Sequence, residues 1–328
     1  MATLRSPKKQ AEYAVKKILA IGQPRPKIND WRVHSLGTAR TYIEALTLVA
    51  SFMMKFRLGA LADLTPAIAI TYLEMRSQEV GGKKLDKIRP MQVGQKQLGK
   101  IRPRQVGQKQ LDKIRQAMQA ILAQKLPVIK SELDQALSSR AYTLQQIEMV
   151  SQAQSRKFSL PTLIAEDGGL RAHELLTLLP VAERAADKRT VEDGGRCWSE
   201  NRFRGRDQIK IYTVVGKGGL IREVALSQKL ADELEHRRLT VPVKVKDRKI
   251  FYDQHYDIGG GKQWSDSFTK ASERSLGWST GGHGTRHTFA QKRMKELQQL
   301  GYTYREALEI VSQEMGHFRP DITEVYLL

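Results

Sequence analysis

The sequence predicts a mainly α-helical protein with one small antiparallel β-sheet, divided into two domains. Three observations carry this. Apolar residues recur at helical spacing through most of the chain. Only one stretch, QIKIYTVVGKGGLIREVAL, alternates as a strand does, on both sides of a glycine-rich turn. The length, 328 residues, suffices for two modest cores.

Residues 1–30 are basic and end in QPRPKIND, which reads as an arm or linker. A helical domain is expected over 31–130. Its first helix begins near Leu36 with Thr38 as a cap, and Tyr42, Leu46, Val49, Phe52, Met53 and Phe56 form its core stripe. A second helix is expected from Thr65-Pro66, where proline suits the first turn. Residues 85–110 contain a near duplication, LDKIRPMQVGQKQ followed by LGKIRPRQVGQKQ. Two copies are too few for a solenoid, so the segment reads as a local duplication lengthening a basic loop. Its Lys100, Arg102 and Arg104 are candidate phosphate contacts, and a solvated insertion is an equally good reading. Leu111 to Leu126 again looks helical.

A second domain is expected over 140–328. Helices are predicted at Thr143–Arg156, Leu160–Glu166 and through GGLRAHELLTLLP. The strands follow at Gln208–Val215 and Leu220–Leu226, then helices at Ser227–Arg238, Ser265–Ser275, Gly284–Gln299 and Tyr304–Met315.

Charge narrows the function classes. Lys and Arg number 55 against 35 Asp and Glu, a formal net charge of +20, which suits a polyanionic partner, nucleic acid first and an anionic membrane surface second. No apolar run is long enough to span a bilayer, and the N-terminus lacks the apolar segment and cleavage site of a secretory signal. The single cysteine, Cys197, excludes an intramolecular disulfide and reads as an ordinary thiol. No zinc-ligand spacing and no phosphate-cradling GxxxxGK[ST] loop is present, so no metal or nucleotide cofactor is expected.

Five segments hold residues suited to phosphate chemistry. Arg171 and Glu174 are three apart, so on a helix the acid would orient a guanidinium able to grip a phosphate bidentately. Lys217 stands at the tip of the predicted hairpin, where Gly216, Gly218 and Gly219 permit close approach, and its ammonium suits protonation of a leaving oxygen. His283 and Arg286 are three apart at a helix N-terminus, a favourable place for an anion. Met315-Gly316-His317 ends a helix. Tyr326 follows nine residues after His317. Each alone is ordinary: most Arg/Glu pairs are surface ion pairs, and a lone tyrosine is usually a packing residue.

In this order the segments resemble the tyrosine recombinase (phage integrase) family, over about Ser139 to Leu328. The first half resembles the family's helical core-binding domain through TARTYIEAL and LDKIRQAMQAIL. The resemblance implies a helical core-binding domain followed by an α+β catalytic domain. It implies that Arg171 and Arg286 clamp the scissile phosphate and that His283 and His317 add hydrogen bonds or proton transfer. Lys217 would protonate the leaving 5′ oxygen, Tyr326 would attack the phosphorus to leave a 3′-phosphotyrosyl link, and Glu174 would support the site. Arg222, in LIREV, matches a hairpin basic position, with DNA contact as its furthest role. The implied partner is duplex DNA carrying a target site, with self-assembly into dimers to tetramers. The implied setting is cytoplasmic, at the nucleoid, in a bacterium, phage or mobile element.

The chemistry has its own logic. A phosphodiester repels nucleophiles by its charge, and guanidiniums with imidazoles neutralise charge growing in the transition state. A phenol ionises more readily than serine, and its phosphodiester preserves bond energy for rejoining. Two departures stand out. Only Leu327 and Leu328 follow Tyr326, where the family continues into a short helix or tail, so the tail is either absent or trimmed. QQLGYTYREALEI also lengthens the interval between Arg286 and His317. A type IB topoisomerase and a non-catalytic DNA-binding protein of the same fold are the competing readings.

Overall fold

The computed structural model describes residues 5–23, 30–77, 107–132, 139–189, 197–248 and 250–327. Lys100, Arg102 and Arg104, with most of the duplicated segment, lie outside these described residues. The chain divides into two compact units, 1–136 and 137–328. Elements are numbered below in chain order among the described residues.

The first unit is helical: α1 (Pro7–Lys17), α2 (Leu36–Lys55), α3 (Pro66–Ser77) and α4 (Gln108–Leu122). Its core joins Leu46, Val49, Phe52 and Met53 of α2 to Leu73 of α3 and Ile114 and Met118 of α4. Two details correct the sequence reading. The cap of α2 is Ser35, whose hydroxyl accepts from the Thr38 N–H at 3.1 Å. Thr38 is therefore inside the first turn. Residues 7–17, expected as part of an arm, form a helix that buries Ala11 and Val15 in the core. The small apolar face of α1 is masked in sequence by its lysines, which remain at the surface.

The second unit begins with α5 (Leu144–Gln152) and α6 (Arg156–Asp167). A capping box starts α5: the Gln146 N–H donates to the Thr143 hydroxyl, and the Thr143 N–H to the Gln146 side chain. The core-facing helix expected from GGLRAHELLTLLP does not form. Gly169 turns at a φ of 59°, and only a single 3-10 turn, Glu174–Leu176, precedes β1 (Leu179–Pro180). The leucines at 170, 175, 176 and 178 are buried nonetheless, because the segment threads through the core instead of lying against it.

β2 (Ile209–Val215) and β3 (Ile221–Ser227) form the predicted hairpin, with Val214 opposite Arg222 and Tyr212 opposite Val224. β1 adds to the β2 edge, giving a three-stranded antiparallel sheet in the order β1-β2-β3. After α7 (Gln228–Glu235) comes a second hairpin that the sequence reading missed, β4 (Arg238–Asp247) with β5 (Ile250–Tyr256). Its alternating valines at 241, 243 and 245 were a legible strand signal, but Pro242 and the many lysines disguise it. Most of β4 is exposed, as an edge ribbon with charged residues should be. Four helices complete the unit: α8 (Gly261–Leu276), α9 (Gly284–Gln299), α10 (Tyr304–Glu314) and α11 (Pro320–Glu324). Phe289, Met294 and Leu297 of α9 pack on Leu308, Ile310 and Val311 of α10. Among the described residues, no helix is long and apolar enough to cross a membrane.

Candidate active site

The site is assembled around one buried carboxylate. Glu174 is fully buried, and three arginines converge on it. Arg171 donates to it from the guanidinium and from the backbone N–H, both at 2.7 Å. Arg222 donates at 2.9 Å, and Arg286 approaches to 3.9 Å. Burial by itself would raise the Glu174 carboxyl. Arg222, Arg171 and Arg286 overcome it and hold the group well below the ordinary carboxylate range. Three guanidiniums around one carboxylate leave net positive charge in a low-dielectric setting, the electrostatics of an anion site.

The local sequence explains the convergence. A Cβ at Gly169 would come within 2.5 Å of the Phe289 ring, so only glycine lets the Arg171 loop reach α9. The Gly169 carbonyl accepts a hydrogen bond from Arg286 Nη1. Arg222 shares strand parity with Val224 and Leu226, so the period of two turns it inward with them. It is fully buried, donating to Glu174 and, at 2.6 Å, to the Glu314 carbonyl. This corrects its expected role as a DNA contact: its donors hold the Glu174 cluster together. Gly316, at a φ of 70°, lies where a Cβ would meet Arg222 Cδ at 2.7 Å.

Arg286 is fully buried near the start of α9. Its Nη2 donates to the Met315 carbonyl at 3.1 Å and to His317 Nε2 at 3.0 Å. Its Nε is a buried donor with no partner among the described residues. Burial first, then Arg171, pushes its guanidinium down to about 9.

Tyr326 follows α11 and is ringed by these groups. Ring centroids lie 4.7 Å away at His287, 5.1 Å at His317 and 5.3 Å at His283, and the Arg286 guanidinium carbon is 5.6 Å from the phenol centroid. Burial, then Arg286, pushes His317 down to about 2 and His283 to about 3. Burial, then Arg140, pushes His287 to about 4. All three imidazoles are therefore neutral near pH 7.

Of the predicted site residues, Arg171, Glu174, His283, Arg286, His317 and Tyr326 are brought together. Lys217 stands apart. It is exposed at the hairpin tip, and no contact joins it to the cluster, although a Cβ on neighbouring Gly216 would lie 3.3 Å from Glu174. Three residues were missed. His287 is one. Arg293 and Glu314 are the others, a buried pair joined at both carboxylate oxygens, 2.9 Å each. Arg293 lies seven residues after Arg286 on the same helix, the spacing that returns to one face, and Glu314 directly precedes Met315-Gly316-His317. Both signals were present in the sequence.

No protein-family model matches the chain, and no curated protein matches it. Solved structures do. One is a XerH site-specific recombinase bound to a palindromic difH substrate in a post-cleavage complex, with a TM-score of 0.51 and 14% identity over 98% of this chain and 90% of that one. A pre-cleavage complex of XerH with difH gives 0.49 and 13%, covering 98% and 91%. A XerA recombinase gives 0.37 and 14%, covering 98% and 92%. The mainly helical chain with small antiparallel sheets has the tyrosine recombinase fold.

Proposed function

We propose that the chain is a site-specific DNA recombinase that cuts and rejoins duplex DNA through a 3′-phosphotyrosyl bond to Tyr326, in the service of a mobile element. The observation that carries this is the enclosure of the Tyr326 ring by Arg286, His317 and His283, beside the Glu174-centred arginine cluster.

In this reading Arg171 and Arg286 neutralise the non-bridging oxygens of the scissile phosphate. The unpartnered Arg286 Nε is a donor of the kind such an anion would satisfy. The phenol oxygen of Tyr326 forms a bond to phosphorus while the bond to the 5′ oxygen breaks. The phenol proton passes to the neutral imidazole of His283, and Lys217 supplies a proton to the departing 5′ oxygen. Rejoining reverses each step, with the 5′ hydroxyl as nucleophile. Lys217 reaches the reacting centre only when DNA draws the hairpin tip inward, which fits its exposed place on a glycine-rich turn. Basic surface elsewhere holds the duplex backbone in a salt-dependent manner, and the protein assembles into dimers to tetramers on its target.

Nicked suicide duplexes tiled across the DNA flanking the gene test the reading. The wild-type protein is expected to form a covalent adduct stable to denaturant on one of them, and Tyr326→Phe to form none while still binding it. Adduct formation by Tyr326→Phe would reassign the nucleophile. Relaxation of supercoiled plasmid without strand exchange would favour a topoisomerase, and binding without any adduct a non-catalytic protein.

A further inference from the structure

His287 lies outside the set of residues that the family resemblance singles out, yet its ring is nearer to Tyr326 than those of His283 and His317. It is 5% exposed, and its Nδ1 is buried without a partner among the described residues. Burying an imidazole nitrogen unsatisfied costs stability that an apolar side chain of similar size would not lose. The residue is therefore a poor choice for packing alone, and what it touches becomes informative. Besides its contact with the phenol ring, the imidazole lies beside the Tyr326 carbonyl, whose negative end partly offsets the lowering of its basicity. Gln291 donates to the same carbonyl at 3.3 Å. His287 and Gln291 are four apart, one above the other on a single face of α9.

We propose that His287 is a positioning residue, which with Gln291 docks the tyrosine segment of its own chain onto α9. The proposal rests on the reading of Tyr326 as nucleophile and adds how that nucleophile is held. Arg286 directly precedes His287, so one rigid helix carries both a phosphate-clamping group and the dock for the attacking group. This fixes the distance between them, the quantity on which in-line attack depends most steeply. The imidazole and phenol rings meet at 4.7 Å between centroids with their planes tilted by 39°, a ring-to-ring contact that assigns His287 to holding the phenol in position.

The test compares His287→Ala and His287→Gln with wild type on a suicide duplex that the wild-type protein traps. Adduct rate and duplex affinity are measured separately. His287→Ala is expected to slow adduct formation by about tenfold to a hundredfold with duplex affinity unchanged. His287→Gln, whose flat amide keeps a polar group of similar reach beside Tyr326, should recover most of the loss. An alanine variant within about twofold of wild type overturns the proposal. So does an equal loss of affinity and rate, which would mark a general collapse of the site.

A second measurement needs no DNA. In protein carrying 13C-labelled tyrosine, the ring resonance missing from Tyr326→Phe identifies Tyr326. It should move toward the free-tyrosine shift in His287→Ala, and an unmoved resonance overturns the dock. If wild type traps no duplex at all, the nucleophile reading fails, and the resonance still decides the docking.

Discussion

Arg286 Nη2 donates to His317 Nε2 at 3.0 Å, and this one bond determines the state of the histidine. A guanidinium has no acceptor, so Nε2 must present its lone pair and the ring proton must be on Nδ1. Nδ1 faces the Thr323 hydroxyl at 3.1 Å. Thr323 also accepts the Tyr326 N–H on its carbonyl at 2.9 Å. The buried arginine is thus connected through His317 to the short helix that presents the tyrosine.

His317 should therefore appear by 15N NMR as a neutral Nδ1–H tautomer that does not titrate between pH 5 and 8. His283 and His287, pushed down to about 3 and 4, should likewise remain neutral there. Protonation of His317 at pH 6 would refute the assignment.

The same groups set the acid limit of stability. In the unfolded chain each histidine takes up a proton near pH 6.5, whereas the folded protein holds these three neutral. The unfolded state then binds more protons below pH 6.5, and stability falls as the pH drops from there toward the folded values of about 4 to 2. Urea midpoints should decline from pH 7 to pH 5, and less steeply in His287→Gln.

Glu174→Gln removes the charge that balances three arginines. Breaking a buried ion cluster in this way should destabilise the second unit by about 3–5 kcal/mol, measured by urea unfolding. Arg222→Met should do similar damage, because it leaves Glu174 short of a partner and frees the Glu314 carbonyl. A stability change below about 0.5 kcal/mol in both would show that the cluster is not structural.

Lys217→Ala should do the opposite. The side chain is exposed, so stability should stay within about 0.5 kcal/mol of wild type. Adduct formation on an ordinary duplex should fall by about a hundredfold. A duplex with a sulfur at the 5′ bridging position, whose thiolate leaves without a proton, should restore the rate.

Gly316→Ala combines a left-handed backbone with a methyl group against Arg222 Cδ. Strain of about 1–3 kcal/mol is expected, with the His317 resonances displaced. Gly218→Ala, also left-handed but facing open space, should cost about 1 kcal/mol and leave His317 unmoved.

The hairpin, most helices of the second unit and the order of the reactive residues were legible because they depend on local chemistry. Strand alternation around Gly-Lys-Gly-Gly announced β2 and β3. The Thr303–Glu306 capping box and Gly316 bound α10 as their residue types require. The inward turn of Arg222 was equally local, since its parity with Val224 and Leu226 is written in the strand. What misled there was its charge, which reads as surface until a buried partner is known.

Other features depend on contacts across long sequence separations. The segment after Gly169 has helical periodicity, yet Gly169 turns it sharply against Phe289, 120 residues later, and it continues as turns and a single 3-10 turn instead of a helix. Lysines hid the two small residues that seat α1. Tyr326 had only its place in a series of motifs to mark it. By itself the sequence determined the reactive residue types, their order and most of the local elements, because capping, strand period and turn chemistry act over a few residues. Only the tertiary structure decided which charges are buried, that Glu174 gathers three arginines, and that His287 faces the tyrosine. Those outcomes depend on which distant groups share a low-dielectric space, and no local pattern encodes that.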